Sequence, residues 1–153
     1  MTETMSKRRL KTWIRLLRAA RTVEGELREF LRVEHGGTLP RFDVLAALRR
    51  ASEPLTMGEL SQQLLVSNGN ATAVVDRLER DGLVRRVPSA TDRRVVRVEL
   101  TPAGRDAFDQ QAAPHEARVD ALFAGLGAAD LDLLDDLLHR LEGGLHPEGN
   151  RTT

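Results

Sequence analysis

Side chains of the kinds that read DNA bases cluster between residues 67 and 77. Asparagine pairs with adenine edges, threonine contacts bases or phosphate, and arginine contacts guanine or phosphate. A helix through this run would project the polar residues from one face and bury an apolar stripe on the other, formed by Ala71, Val74, Val75 and Leu78. An ordinary solvated helix face would give the same pattern. The flanking elements favour DNA contact, which we predict for Ser67, Asn68, Asn70, Thr72, Ala73 and Arg77.

A basic turn lies between two strand-like runs that follow this helix. Arg93 and Arg94 stand at its tip beside Asp92. The flanking runs carry further arginines, namely Arg85, Arg86 and Arg97. A narrow minor groove attracts an inserted arginine because its negative potential is focused there. We predict that Arg93 and Arg94 contact DNA, and that Asp92 pairs with a neighbouring arginine and fixes its direction. Arg85 and Arg86 are expected to neutralise phosphates. The alternative is a charged tip that only keeps an edge strand soluble.

Motifs for catalysis or metal binding are missing from the sequence. The chain has no cysteine, which removes disulfides, thiolate metal sites and thiol redox sensing. Its four histidines show no paired ligand spacing. No nucleophile stands in a catalytic motif, and no glycine-rich phosphate loop is present. We therefore expect no enzyme activity, no metal and no cofactor.

The elements around the polar helix follow the order of a winged helix–turn–helix, over residues 38–100. A helix is expected over residues 40–51. Thr56 and Glu59 have the spacing of a capping box at the start of the next helix. Ser67 is expected to cap the fourth helix, the one with the polar face. This order places one helix in a DNA groove and a β-hairpin beside it.

Two strands and three long helices complete the predicted fold. The strands are expected around residues 84–87 and 96–100, where valines alternate. Long helices with apolar stripes are expected over residues 7–34, 101–123 and 129–141. Pro114 should kink or interrupt the second of these. We predict a mostly α-helical single domain with an α+β wing, over residues 1–153.

The zero net charge conceals a strong asymmetry along the chain. Residues 1–105 hold 20 Lys and Arg against 13 Asp and Glu, whereas residues 106–153 hold 3 against 10. The positive part can attract phosphate, and the acidic part should point away from it. No apolar run approaches the roughly 20 residues that a membrane span needs. No apolar segment of a signal peptide follows the basic N-terminus. We expect a cytoplasmic protein with no membrane partner.

From Leu10 to about Leu141 the chain resembles the MarR family of bacterial transcriptional regulators. The wing of that family has Asp-x-Arg followed by a strand and Leu-Thr-x-x-Gly, a pattern matched by Asp92, Arg94, Leu100, Thr101 and Gly104. The recognition helix is matched by LLVSNGNATAVVDRLERDGLV. The resemblance implies that Arg94 enters the minor groove, that Asp92 supports the wing, and that residues 68–77 enter the major groove of double-stranded DNA. It also implies a homodimer joined by the N- and C-terminal helices, residues 7–34 and 101–145.

A narrower resemblance comes from TLPRFDVLAAL after the tryptophan-containing helix WIRLLRAARTVEGELREFL. These segments are similar to regulators that repress genes for the breakdown of aromatic acids. The resemblance implies a ligand between the first, second and fifth helices, either an aromatic carboxylate or its CoA thioester. An aromatic side chain can stack on such a ring, and an arginine can hold a carboxylate with two hydrogen bonds. The candidate ligand residues are Trp13, Arg15, Leu17, Arg41, Phe42 and Leu45. Plain core packing, with Arg41 as a surface charge, is the alternative.

The sequence thus predicts a homodimeric repressor that a small-molecule inducer releases from a palindromic operator. Two recognition helices in successive major grooves require an approximate palindrome. The inducer must bind the DNA-competent and released arrangements with different affinity. A dimeric winged-helix module that binds proteins, without ligand control, is the alternative. Asn68, Asn70 and Arg77, clustered beside the wing arginines, argue against it, because protein interfaces do not need this basic excess.

Overall fold

The computed structural model describes residues 2–65 and 70–145. The chain divides into two compact units, Met1–Val119 and Asp120–Thr153. In the first unit, helices pack around a small antiparallel sheet. The predicted fold class, a mostly α-helical winged helix–turn–helix, is confirmed.

The first helix, α1, spans Met5–His35. Thr4 caps it by accepting a hydrogen bond from the backbone N–H of Lys7, and Gly36 ends it with a φ of 60°. Glycine adopts this left-handed conformation without the steric cost of a side chain. The buried side chains of α1 are Leu27 and Leu31, both in its C-terminal part.

The second helix, α2, spans Leu39–Arg50 and lies at the centre of the first unit. Thr38 caps it, and the following proline sits in its first turn, where a missing N–H costs no hydrogen bond. From Phe42 to Leu48 every residue is buried. A helix that is buried on most sides cannot show a simple amphipathic stripe, so its core face was only partly visible in the sequence.

The helix–turn–helix follows in α3, Met57–Gln63, and α4, Ala71–Arg80. The predicted capping box of α3 is confirmed. Thr56 Oγ1 accepts from Glu59 N at 3.1 Å, and Glu59 Oε2 accepts from Thr56 N at 2.8 Å. These reciprocal bonds satisfy backbone donors that would otherwise lack partners at the start of α3.

The wing is a hairpin of β2, Val84–Pro88, and β3, Val96–Leu100. A short strand β1, Leu55–Thr56, pairs with the other edge of β3, which gives the order β1-β3-β2, all antiparallel. The sequence did not predict β1, because two residues are too few to show alternation. The register pairs the buried residues of neighbouring strands, Leu55 with Val98 and Val84 with Leu100.

A single apolar cluster joins α2, α3, α4 and the sheet. Its buried members are Val44, Leu45, Ala47, Leu48, Leu55, Leu60, Val75, Leu78, Val84, Val98 and Leu100. Close packing of this kind resists relative movement of the elements. The core therefore sets the position of α4 and of the base of the wing together.

Two further helices follow the wing, α5 at Pro102–Leu122 and α6 at Ala128–Leu145. The prediction for Pro114 was a kink or an interruption, and the interruption is wrong, because α5 continues through this residue. One missing N–H removes one intrahelical hydrogen bond, and a helix of 21 residues retains enough of the others to continue. Among the described residues, no helix is long and apolar enough to cross a membrane.

Candidate nucleic-acid interface

The outward face of α4 carries the exposed side chains of Thr72 and Arg77. Val75 and Leu78, on the opposite face, are fully buried, which confirms the centre of the predicted apolar stripe. Within residues 2–65 and 70–145 the guanidinium of Arg77 forms no ion pair. The face therefore offers a hydroxyl and an uncompensated cation to a partner. Ala73 lies between them and is half-buried.

The start of α4 differs from the prediction. Asn70 Oδ1 accepts a hydrogen bond from Ala73 N at 3.3 Å, so Asn70 is the N-cap of the described helix. A side-chain oxygen used in this way satisfies one of the free N–H groups of the first turn. The predicted base-reading role of Asn70 must therefore be compatible with this cap. The predicted cap Ser67 and the predicted base contact Asn68 lie outside the described residues.

The tip of the wing is a tight turn with two arginines in its central positions. The carbonyl of Asp92 accepts from Val95 N at 3.0 Å, which closes the turn around Arg93 and Arg94. Asp92 Oδ1 also accepts from Arg94 N at 3.0 Å. Aspartate favours the first position of such turns because its side chain can bond to the backbone two residues on. Asp92 therefore shapes the turn that presents both arginines.

Asp92 also holds the side chain of Arg94. Arg94 Nε donates to Asp92 Oδ1 at 3.2 Å and Nη2 donates to Oδ2 at 3.3 Å. Hydrogen bonds from the Arg94 side chain, and then from its backbone, lower the pKa of Asp92. The Arg94 side chain remains 91% exposed, so the pair contributes little to folding stability. Its effect is on direction, and the prediction that Asp92 pairs with a neighbouring arginine is confirmed.

The stem of the wing contrasts with its tip, because its arginines pair with carboxylates of other elements, whereas Arg94 pairs with Asp92 of its own turn. Arg86 Nη2 donates to Asp76 Oδ1 at 2.6 Å, and Nη1 donates to Glu79 Oε1 at 2.9 Å. The backbone N of Arg86 donates to the other oxygen of Glu79 at 3.0 Å. Arg86 on β2 is thus joined to two residues of α4. The prediction that Arg86 neutralises a phosphate took no account of these carboxylates.

The other stem arginines are also paired. Arg85 Nε donates to Glu99 Oε1 across the hairpin at 2.6 Å. Arg97 Nη1 donates to the carbonyl of Pro54 at 3.0 Å and to Glu59 Oε2 at 3.2 Å. Arg97 therefore ties β3 to the turn before α3. Carboxylates therefore compensate the positive charges of the stem arginines, whereas the tip and Arg77 carry the net positive charge of this region.

The residues that follow β3 lock α5 onto the end of α4. Thr101 Oγ1 donates to the carbonyl of Gly82 at 2.6 Å, and Thr101 N donates to the carbonyl of Leu83 at 3.1 Å. A Cβ on Gly104 would lie 1.9 Å from the Leu83 oxygen, closer than any real contact. Glycine is therefore required where α5 crosses the α4–β2 turn. This contact gives a physical reason for the Leu-Thr-x-x-Gly pattern.

A buried carboxylate supports the segment between α3 and α4, and the sequence analysis missed it. Asp43 of α2 is 5% exposed, and its Oδ2 accepts from Leu65 N at 2.8 Å. A charged acceptor satisfies a backbone donor that leaves helical geometry at this point. The signal in the sequence was that Asp43 stands alone in an apolar stretch, between Phe42 and the apolar residues 44–48.

The candidate ligand residues fall into different environments. Phe42 is buried and lies against α5, stacked on His115 with ring centroids 4.2 Å apart and near Phe108 at 5.5 Å. Burial lowers the pKa of His115. Leu45 belongs to the core. The sequence analysis missed His115 as a neighbour of Phe42, since more than seventy residues separate the two along the chain.

The remaining candidates lie nearer the surface. Arg41 Nη2 donates to Asp81 Oδ2, at the C-terminal end of α4, at 2.7 Å. On α1, Trp13 is 54% exposed, Arg15 is exposed and Leu17 is half-buried. Within the described part of the chain, no ring contact joins Trp13 to Phe42. Arg41 and Phe42 therefore lie together on α2, whereas the other candidates lie on the surface of α1.

A winged helix with an exposed arginine tip and an exposed polar helix face defines a protein of the DNA-binding winged helix–turn–helix class. A profile of the MarR family matches residues 35–95. The chain is 33% identical over 115 residues to the HTH-type transcriptional regulator YkoM of Bacillus subtilis, covering 75% of this chain and 73% of that protein. A MarR family regulator from Silicibacter pomeroyi superposes with a TM-score of 0.80 at 29% identity, covering 94% of this chain and 99% of the other.

A mutant MarR from E. coli, solved in complex with operator DNA, gives a TM-score of 0.74 at 27% identity, covering 91% of this chain and 99% of that one. The chain belongs to the MarR family and is a DNA-binding transcriptional regulator.

Proposed function

We propose that the protein is a homodimeric repressor that binds a palindromic operator through α4 and the wing. The observation that carries the proposal is the exposed Arg94, held by Asp92 at the tip of a hairpin whose stem is bonded to α4. An arginine on a narrow hairpin fits the minor groove, while a helix face with Thr72 and Arg77 fits the major groove. Arg93, Ala73 and the predicted contacts in residues 67–70 complete the proposed surface.

The proposed dimer rests on apolar side chains that one chain leaves exposed. On α1 these include Met5, Leu10, Trp13 and Ile14, and on α6 they include Leu131, Leu133, Leu137, Leu141 and Leu145. Faces of this kind on a monomer mark sites of association. Each is expected to be covered by a second copy of the chain. The predicted dimerisation segments, residues 7–34 and 101–145, contain all of these side chains except Met5.

Gel-shift titration on DNA from upstream of the protein's own coding sequence tests operator binding. Arg94→Ala should weaken binding by about tenfold or more, since a groove-inserted arginine contributes on the order of 1–3 kcal/mol. Arg28→Ala removes another exposed arginine, on α1, and serves as the matched control. Equal affinities for the two variants would remove the wing from the mechanism. Absence of binding by the unsubstituted protein would favour a protein-interaction module instead.

For the inducer we propose an aromatic carboxylate or its CoA thioester, bound near α2 and α5. The support is the ring cluster of Phe42, Phe108 and His115 with a cation, Arg41, on the same helix as Phe42. A carboxylate leaving water needs a paired cation. Arg41 already pairs with Asp81 at the end of α4. A ligand that takes Arg41 would release that end of the recognition helix, which links binding to DNA release.

Because Arg41 is paired with Asp81, substitution of the two residues should change ligand affinity in opposite directions, which tests the inducer proposal. Hydroxybenzoates, cinnamates and their CoA thioesters would be titrated while DNA affinity and the fluorescence of the single tryptophan, Trp13, are followed. Asp81→Asn frees Arg41 and should tighten ligand binding, whereas Arg41→Met should weaken it. A non-aromatic acid serves as the negative control. Ligand affinity that neither substitution changes would remove Arg41 from the site.

A further inference from the structure

Arg86 occupies a position where its side chain can join two elements that contact DNA. Side chains alternate along a strand, so Arg86 lies on the same face of β2 as the buried Val84. Beyond the apolar core that face meets α4, and there Arg86 binds Asp76 at 2.6 Å and Glu79 at 2.9 Å. Its neighbour Arg85 lies on the opposite face.

The contacts of Arg86 leave little for a phosphate. Two carboxylates compensate one guanidinium, and only 26% of the Arg86 side chain is exposed. The hydrogen bonds that Arg86 donates to Asp76, and then to Glu79, raise the pKa of Arg86 against the opposing effect of burial. A third bond, from the backbone N of Arg86 to Glu79, fixes the strand itself. The cluster therefore acts within the protein.

A small change in the angle of the wing at Arg86 produces a large displacement of Arg94 at the tip. Arg86 pairs with Val98 across the hairpin, and the chain runs four more residues from Val98 to Arg94. At about 3.3 Å per residue the tip lies about 13 Å beyond the clamp, so a tilt of about 10° moves Arg94 by about 2 Å. A displacement of that size breaks a hydrogen bond. The angle between wing and α4 must therefore be held at the stem.

We propose that Arg86 is a positioning residue that sets the angle of the wing to α4, so that Arg94 and α4 engage their grooves together. The inference rests on the proposed operator binding. Arg86 acts through Arg94 and makes no contact with DNA itself. Asp76 and Glu79, although acidic and beside the proposed DNA surface, then favour operator binding because they hold Arg86.

A double-mutant cycle between Arg86 and Arg94 tests this inference. Arg86→Met should weaken operator binding about tenfold in the unsubstituted background and less than about twofold in the Arg94→Ala background, since coupled residues are not additive. Arg85→Met is the matched control on the same strand, and should change affinity by the same factor in both backgrounds. The salt dependence of binding in the Arg94→Ala background should stay unchanged on Arg86→Met. Loss of a phosphate contact would instead lower its slope by about 0.9.

A second variant changes the α4 partner of Arg86, and its result does not depend on whether the Arg86→Met protein folds. Glu79→Gln removes a negative charge beside the DNA surface. If Glu79 only repels phosphate, binding should tighten. If it holds Arg86, binding should weaken about threefold or more, and only when Arg94 is present. Circular dichroism at the assay temperature confirms that each variant is folded.

The outcomes separate the inference from the function on which it rests. Equal losses for Arg86→Met in both backgrounds, with a lower salt slope, would show that Arg86 contacts phosphate itself. Unchanged affinity for Arg86→Met, or tighter binding for Glu79→Gln, would also overturn the positioning role. In each of these cases the unsubstituted protein still binds its operator. Failure of the unsubstituted protein to bind would overturn the proposed function, and the inference with it.

Discussion

The winged-helix region and the long helices differ in the burial of their apolar side chains. Between Val44 and Leu100 most leucines and valines of α2, α3, α4 and the sheet form one buried cluster. On α6 no residue is buried, and on α1 burial begins only at Leu27. The winged helix therefore completes its core within one chain. We propose that a second copy of the chain covers the exposed apolar faces of α1 and α6.

This difference separates two kinds of dependence on protein concentration. A region with its own core unfolds at a free energy set by the chain alone. A region that is covered only by association gains stability as the concentration rises. The same substitution should therefore act differently in the two regions, and four predictions use that contrast.

The largest effect is expected for truncation in the winged-helix core. Leu78→Ala removes a fully buried side chain of α4 and should lower the free energy of unfolding by about 2–5 kcal/mol. The matched control is Leu137→Ala on α6, where the side chain is 47% exposed. Chemical denaturation at low protein concentration measures both. Comparable losses at all concentrations would show that the two regions share one core.

The second prediction concerns the dimer. Leu137→Glu places a charge on the apolar face of α6 and should raise the dimer dissociation constant by about a hundredfold, because an unpaired charge in an interface is costly. Sedimentation measures the change. Asp136→Glu alters the neighbouring exposed position with no change of charge and is the control. The isolated variant should keep its helical circular dichroism spectrum. A monomeric unsubstituted protein at micromolar concentration would contradict the proposal.

The third prediction concerns the crossing of α5 over the α4–β2 turn. Gly104→Ala forces a Cβ against the Leu83 backbone and should destabilise the protein by about 1–3 kcal/mol. Gly25→Ala in α1 meets nothing within 4 Å and should stabilise it by about 0.5–1 kcal/mol, because alanine favours helix interiors. Thermal unfolding compares the two. Equal shifts would mean that the turn can move away from α5.

The sequence was sufficient for features that depend on local chemistry. The capping box of Thr56 and Glu59 joins residues three apart, and Asp92 pairs with Arg94 two residues away, so both follow from spacing. The order of helices and the wing follows from periodicity together with the family resemblance. The boundaries of α1 and α6 differ from the prediction by a few residues, because helix ends depend on caps and packing.

Features that depend on distant residues could not be read in this way. The partner of Arg41 is Asp81, forty residues away, and His115 meets Phe42 only after α5 packs beside α2. Arg86 is an intermediate case. Strand alternation places it on the face of Val84, but its carboxylate partners depend on how α4 lies against β2. Charge type alone therefore could not separate the stem arginines, which pair with carboxylates of other elements, from the exposed arginines of the tip.

The smallest expected effect is a pH dependence that belongs to the winged-helix region and not to α6. His115 lies on α5 with its ring stacked on Phe42, and burial lowers its pKa. In the unfolded chain a histidine titrates at about 6.5. As the pH falls through this value the unfolded state takes up a proton that the folded state resists, so the free energy of unfolding falls. Above about pH 7.5 both states are neutral and the group contributes nothing.

The measurement compares the free energy of unfolding at pH 7.5 and 5.5. His115→Gln should reduce the loss of stability between these values, whereas His139→Gln, at an exposed position of α6, should leave it unchanged. Paired carboxylates such as Asp92, with a lowered pKa, lose their contribution only as the pH falls below about 4. They therefore lie outside this window. If both histidine variants keep the full pH dependence, protonation of the Phe42 cluster is not its source, because no other step in this range would distinguish the buried ring from the exposed one.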